Sequence, residues 1–130
     1  MKMKVRGYVF SRSFMGERVP QHVQNIVIRD YCEKNNLQYL LSASEYAMEG
    51  CHLIMKLLLD ELPQIDGIAA YSLFQLPENQ ADRNFIYSSI LSQGKTLHFC
   101  VEGLSMCNEL EKNRIENIWL VKKSMKNMEI

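Results

Sequence analysis

Four times along the chain a short apolar run gives way to a polar loop and then to a segment whose apolar residues recur at helical spacing. The runs are Lys4 to Phe10, Leu37 to Ala43, Ile65 to Leu73 and Thr96 to Val101. The segments after the first two carry Val23, Ile26, Val27 and Tyr31, then Leu53, Ile54, Leu57 and Leu58. The last two carry Phe85, Ile86 and Ile90, then Leu110, Ile115, Ile118 and Trp119. Strands separated by helices lie side by side in the same direction, because each helix returns the chain to the edge it left. Right-handed crossovers then cover both faces of the sheet. The pattern predicts one α/β domain over residues 1–130, a three-layer sandwich on a mostly parallel four-stranded sheet in the order 2-1-3-4.

Local punctuation agrees with that reading. Pro20 suits the first turn of the first helix and the Lys34-Asn35-Asn36 cluster stops it. Pro63 closes the second helix and Gly94 ends the third. Gly67, Ala69 and Ala70 are small enough to let helices approach a buried central strand. The segment Glu102 to Ser105 reads as a loop, and the tail after Lys122 as frayed.

Ligands of such sheets bind beyond the carboxyl ends of the strands, where the strand order reverses between the first and the third. The stretch Gly7 to Arg29 supplies the corner: an apolar strand, a loop of hydroxyls and guanidiniums, and a helix start aimed at that loop. The strand exits collect Ser11, Arg12, Ser13, Arg18, His22, Glu45, Tyr46, Tyr71, Ser72, Gln75 and Glu102. Arg12 and Arg18 can fork onto a phosphate or carboxylate, with Ser11 and Ser13 as turn formers or anion ligands. His22, as a neutral imidazole, can accept a proton, and Glu45 and Glu102 can act as acid and base or bind sugar hydroxyls. Tyr71, Ser72 and Gln75 would line the pocket. The bland alternatives are a surface histidine and solvated loop carboxylates.

Composition removes several classes. Fifteen Lys and Arg balance fifteen Asp and Glu, so the broad electrostatic attraction that drives non-specific DNA or membrane binding is absent. No apolar run approaches the ~20 residues of a membrane span, and the start MKMKVRGYVF is too short for a signal peptide, which predicts a cytoplasmic protein. Cys32, Cys51, Cys100 and Cys107 have no CxxC or finger spacing and read as reduced thiols mostly in the core. His22, His52 and His98 form no metal motif, and neither a Walker loop nor GxGxxG is present. No metal and no cofactor is expected.

Two family resemblances follow. Over about Val5 to Leu104, GYVFSRS looks like the Tyr-x-Arg-x-Ser strand end of serine recombinase catalytic domains, of the resolvase and invertase type. QNIVIRDYC resembles their first helix, and GKTLHFCVEGLS the strand after their third. The resemblance implies a resolvase-like (flavodoxin-like) fold and a possible homodimer. Its chemistry departs, because the strand-one arginine falls on Phe10, the serine nucleophile on Arg12, and the Asp-Arg-x-x-Arg cluster on Phe74 to Glu78. Without those arginines the charge developing on an attacked DNA phosphate lacks stabilisation. RGYVFSRSFMGERVPQHVQNIVIRDYC, LLSASEYAM and DGIAAYSLFQLPEN also resemble the sporadic carbohydrate cluster proteins, small bacterial proteins of surface-polysaccharide gene clusters.

The expectation from residues and resemblance together is a bacterial surface-carbohydrate protein that binds, and could transform, a phosphorylated or nucleotide-linked sugar at the strand ends. Two other readings stay open: a non-catalytic partner of a larger sugar-pathway enzyme, and a recombinase-like DNA binder, which the charge balance disfavours.

Overall fold

The computed structural model describes residues 2–128. Strands β1 (Lys4–Phe10), β2 (Gln38–Glu45), β3 (Gly67–Ala70), β4 (Thr96–Phe99) and β5 (Leu104–Met106) alternate with helices α1 (Gln21–Lys34), α2 (Leu53–Asp60), α3 (Gln80–Ser92) and α4 (Glu109–Met128). The sheet runs β2-β1-β3-β4-β5. Its first four strands are parallel in the order the sequence predicts. β5, expected as part of a loop, instead adds antiparallel to the free edge of β4, pairing Leu97 with Met106 and Phe99 with Leu104. A tight turn with Gly103 at φ 65° makes that return possible without a crossover.

Side chains alternate across β1 and thereby serve two cores. Val5 and Val9 face α1, packing with Ile28, Cys32, Ala69 and Cys100. Tyr8 and Phe10 face the other side, where Leu58, Ile86, Ile115 and Trp119 of α2, α3 and α4 converge. Cys32 and Cys100 are buried as expected, whereas Cys51 is half-buried and Cys107 exposed; all four are free thiols.

The helical stripes are shifted from their hydropathy pattern. α1 buries Gln24, Ile28 and Cys32, one row of an i, i+4, i+8 face, and leaves Ile26 exposed. α2 buries Met55, Leu58 and Leu59 while Leu53 and Leu57 face outward. α3 buries Arg83 and Tyr87 with Ile86 and Ile90 but not Phe85, and Leu110 at the start of α4 is 81% exposed. In α1 and α3 the buried face includes a polar residue whose hydrogen bonds compensate its desolvation, a condition that hydropathy does not register. The tail expected to fray after Lys122 continues as α4 to Met128, and the rest of it lies outside the described residues.

β3 is buried at every position. A Cβ on Gly67 would sit 2.3 Å from Thr96 Oγ1 and 2.6 Å from the Thr96 carbonyl oxygen on the paired strand. Backbone cannot retreat as a flexible side chain can, so Gly67→Ala is expected to cost about 1–3 kcal/mol in a urea melt. An unchanged midpoint would show that β3 and β4 separate easily.

Candidate functional site

The carboxyl ends of β1, β2 and β3 open onto a cleft of 510 Å³. Arg12, Ser13 and Phe14 form its wall from the β1–α1 loop, and Glu49, Gly50 and His52 its wall from the β2–α2 loop. Phe74, Pro77, Glu78 and Asn79 enter from the β3–α3 connection and Asp82 from the first turn of α3. Trp119 and Lys123 reach it from α4.

The β1–α1 wall is shaped by a miniature hairpin. Phe14 and Glu17 exchange backbone bonds of 2.9 and 3.0 Å, with Met15 at φ 52° and Gly16 at φ 77°. Two successive positive φ values give the tight turn, at low cost for Gly16 and with strain for Met15. Phe14 is fixed edge-on to Phe10, at 5.6 Å between centroids, and to Tyr71 at 6.0 Å. The Arg12 guanidinium lies 4.1 Å over the Phe10 ring, and its Nη1 donates to the Tyr46 carbonyl at 2.8 Å. Among the described residues its other nitrogens make no bond to the chain, which leaves donors for a guest.

A buried polar ladder runs beneath the cleft and ties the strand ends together. The Gln24 amide pairs with both backbone groups of Phe10, at 3.0 and 2.9 Å, and donates to the Val19 carbonyl at 2.8 Å. Gln75 Nε2 donates to Gln24 Oε1 at 2.8 Å, and Gln75 Oε1 accepts from the Ser72 amide. The Ser72 hydroxyl and the Leu73 amide both donate to Glu102, each at 2.9 Å. Gln24 of α1 thus links the end of β1, through Phe10, to the exit of β3, through Gln75, and so ties the two strand ends together.

Glu45 is the second anchor. Its buried carboxylate accepts from the Tyr8 hydroxyl at 2.8 Å and from the amides of Ile54 and Met55 at 3.0 and 3.1 Å. It also takes the Tyr46 amide, at 3.1 Å. His52, at the N-cap of α2, contributes no side-chain cap, so a strand residue closes this helix start. Burial pushes the Glu45 carboxyl up, but the bonds from Ile54, Tyr8, Met55 and Tyr46 outweigh it and hold it below the usual value. His52 meets the carbonyls of Gly50 and Gln75 at 3.3 and 3.1 Å and so ties the β2–α2 loop to the β3–α3 connection.

Arg83 is the third anchor. It is buried, forms a two-pronged pair with Glu116 at 2.9 and 2.7 Å, and lies 3.7 Å over Trp119. Its Nη1 also holds the carbonyls of Pro77 and Glu78 at 3.1 and 2.7 Å, which sets one rim of the cleft. Lys123 pairs with Glu78 beside it.

Of the residues anticipated from sequence, Arg12 and Ser13 line the cleft. Arg18 and His22 are exposed and lie outside its lining, because the hairpin at Phe14–Glu17 turns the chain away before α1 begins. The Ser11 hydroxyl is spent on the Glu45 carbonyl at 2.8 Å. Glu45, Ser72, Gln75 and Glu102 sit in the supporting network described above, and half-buried Tyr71 packs behind Phe14. His52, Phe74, Asn79, Asp82, Trp119 and Lys123 were not anticipated as site residues. The spacing of Asn79 and Asp82, a helix-cap pattern realised by the Asp82 amide donating to Asn79 Oδ1, was a legible signal; nothing local marked Trp119 and Lys123.

Among the described residues no three His, Cys, Asp or Glu side chains converge as a metal site. No helix described is long and apolar enough to cross a membrane.

Strand order, crossovers and the placement of the cleft define a resolvase-like α/β sandwich. The chain superposes on the N-terminal catalytic domain of TP901-1 integrase with a TM-score of 0.63 and 12% identity, over 96% of this chain and 99% of that one. It superposes on a resolvase family site-specific recombinase from Streptococcus pneumoniae with a TM-score of 0.64 and 10% identity, over 95% and 91% of the two chains. At these identities the likeness is one of fold. No protein-family model and no curated protein matches the chain. Of the positions on which the recombinase resemblance lays its catalytic residues, Phe10, Arg12, Phe74 and Glu78 line the cleft, whereas Gln75 is buried in the ladder beneath it.

Proposed function

We propose that the cleft binds a sugar carrying a phosphate, as a step in building a bacterial surface carbohydrate. The observation that carries this reading is the mixture of groups around one 510 Å³ volume. Half-buried Phe14 and Phe74 retain open ring surface on which the apolar C–H face of a sugar can lie. Glu49, Asp82 and Asn79 supply acceptors and donors for hydroxyls, and the unspent donors of Arg12 suit a phosphate. The sequence resemblance to sporadic carbohydrate cluster proteins supports the same class. DNA strand exchange is disfavoured by Phe10, Gln75 and Glu78 standing where the family's arginines would be needed.

Calorimetric titration with glucose 1-phosphate, mannose 1-phosphate and a short DNA duplex tests the reading. A sugar phosphate is expected to bind, with Arg12→Ala weakening it by about 10- to 100-fold, the range of one charged hydrogen bond. Arg18→Ala, outside the cleft, should leave affinity unchanged. Binding of the duplex alone, or equal losses in both variants, would overturn the assignment.

A second reading, a non-catalytic partner of a larger pathway enzyme, is favoured by one feature. Beyond Trp119 the outward face of α4 shows Leu120, Val121 and Met125, all exposed. Silence of every ligand, with co-purification of a pathway enzyme that Val121→Asp abolishes, would favour it.

A further inference from the structure

A second cavity, of 240 Å³, lies between the start of α2 and the first turns of α3. Gly50, His52, Pro77 and Asp82 line both this cavity and the larger cleft, so the two adjoin as a large and a small lobe with those residues as the waist between them. Gly50 keeps the waist open: no atom lies within 4 Å of where its Cβ would be, and its φ of 77° disfavours any other residue.

The lobes differ in chemistry. Beyond the waist the small lobe is walled by Leu53, Met55, Phe85 and Ile86, with Lys56 among them. Leu53 and Phe85 are 51% and 57% exposed, large apolar groups left uncovered on helices whose inner faces are well packed. The small lobe alone falls below the ~300–1,000 Å³ of an ordinary ligand site, while the two lobes together fall within it. A sugar phosphate held at Arg12 in the large lobe would leave the small one empty.

We infer that the small lobe is a nucleobase subsite and that the ligand is a nucleoside-diphosphate sugar; this rests on the sugar-phosphate reading above. A nucleobase has two apolar faces, one of which can stack on Phe85, and a hydrogen-bonding edge that can be met by Lys56 and Asp82. A hydrocarbon carrier chain would strip water from those two charges and return no bond.

The test compares UDP-glucose, GDP-mannose and dTDP-glucose with glucose 1-phosphate, mannose 1-phosphate and an isoprenyl-phosphate sugar, in wild-type protein and in Phe85→Ala. Phe85 is exposed, so the variant should melt as the wild type does. At least one nucleotide-sugar is expected to bind tenfold or more tightly than its sugar phosphate, and Phe85→Ala to remove that gain while leaving the sugar phosphate unaffected. Nucleotide-sugars no tighter than sugar phosphates, a gain that survives Phe85→Ala, or tighter binding of the isoprenyl ligand would overturn the subsite and leave the sugar-phosphate reading standing. No binding by any probe would remove both.

Discussion

Glu45→Ala is expected to lower the unfolding free energy by about 3–5 kcal/mol, because several neutral donors, each costing about 1–3 kcal/mol when buried without a partner, lose one shared acceptor. The Tyr8 hydroxyl and the amides of Ile54, Met55 and Tyr46 would lose their acceptor inside the fold. For a domain of this size the melting temperature should fall by roughly 10 °C or more. Glu45→Gln keeps the volume and one oxygen, and its loss should be smaller, about 1–3 kcal/mol.

The pH dependence has a definite sign. The Glu45 carboxyl is held below its ordinary value of 4.5 in the folded protein, so its contribution is present above that value and is lost as the pH falls through the folded one. Urea melts at pH 7, 5 and 3.5 should therefore show wild type and Glu45→Gln converging as the acid is approached. A gap that stays constant would mean that the side chain contributes shape rather than charge.

Arg83→Met should be nearly as damaging, about 3–5 kcal/mol, for the complementary reason. Glu116 would keep its charge in a half-closed site, with the Tyr87 hydroxyl at 2.8 Å and the more distant charge of Lys112 to answer it. Burial pushes the Glu116 carboxyl up, and the bonds from Arg83 and Tyr87 overcome this and hold it low. Adding Glu116→Gln to Arg83→Met should restore part of the loss, whereas independent sites would add. Additive losses in a double-mutant cycle would dispose of the pair as a coupled unit. Arg83 also grips the Pro77 and Glu78 carbonyls, so Arg83→Met should weaken ligand binding in the cleft without touching the ligand.

These anchors explain which parts of the site were readable in the chain. Arg12 and Ser13 follow their strand directly, and a strand exit projects its next residues into the space beyond the sheet. Arg18 and His22 lie farther along the same loop, and Met15 and Gly16 reverse the chain in between. Glu45 and Glu102 leave strands as expected, yet helix and turn starts with unpaired amides stand within reach and take up their oxygens. A carboxylate written in a sequence does not reveal whether a backbone amide many residues away will meet it.

Alternating apolar runs and helical stripes determined the layers, the parallel order β2-β1-β3-β4 and the edge at which the cleft opens, because periodicity and crossover handedness are local and chiral constraints. The tertiary structure alone decided the rest. It turned Gln24 and Arg83 inward, where partners from other elements satisfy them, and it placed Trp119 and Lys123 of α4 over loops far away in the chain. Hydrogen-bond satisfaction and the shape of a cleft depend on which distant residues meet, and no window of sequence contains both halves of such a contact.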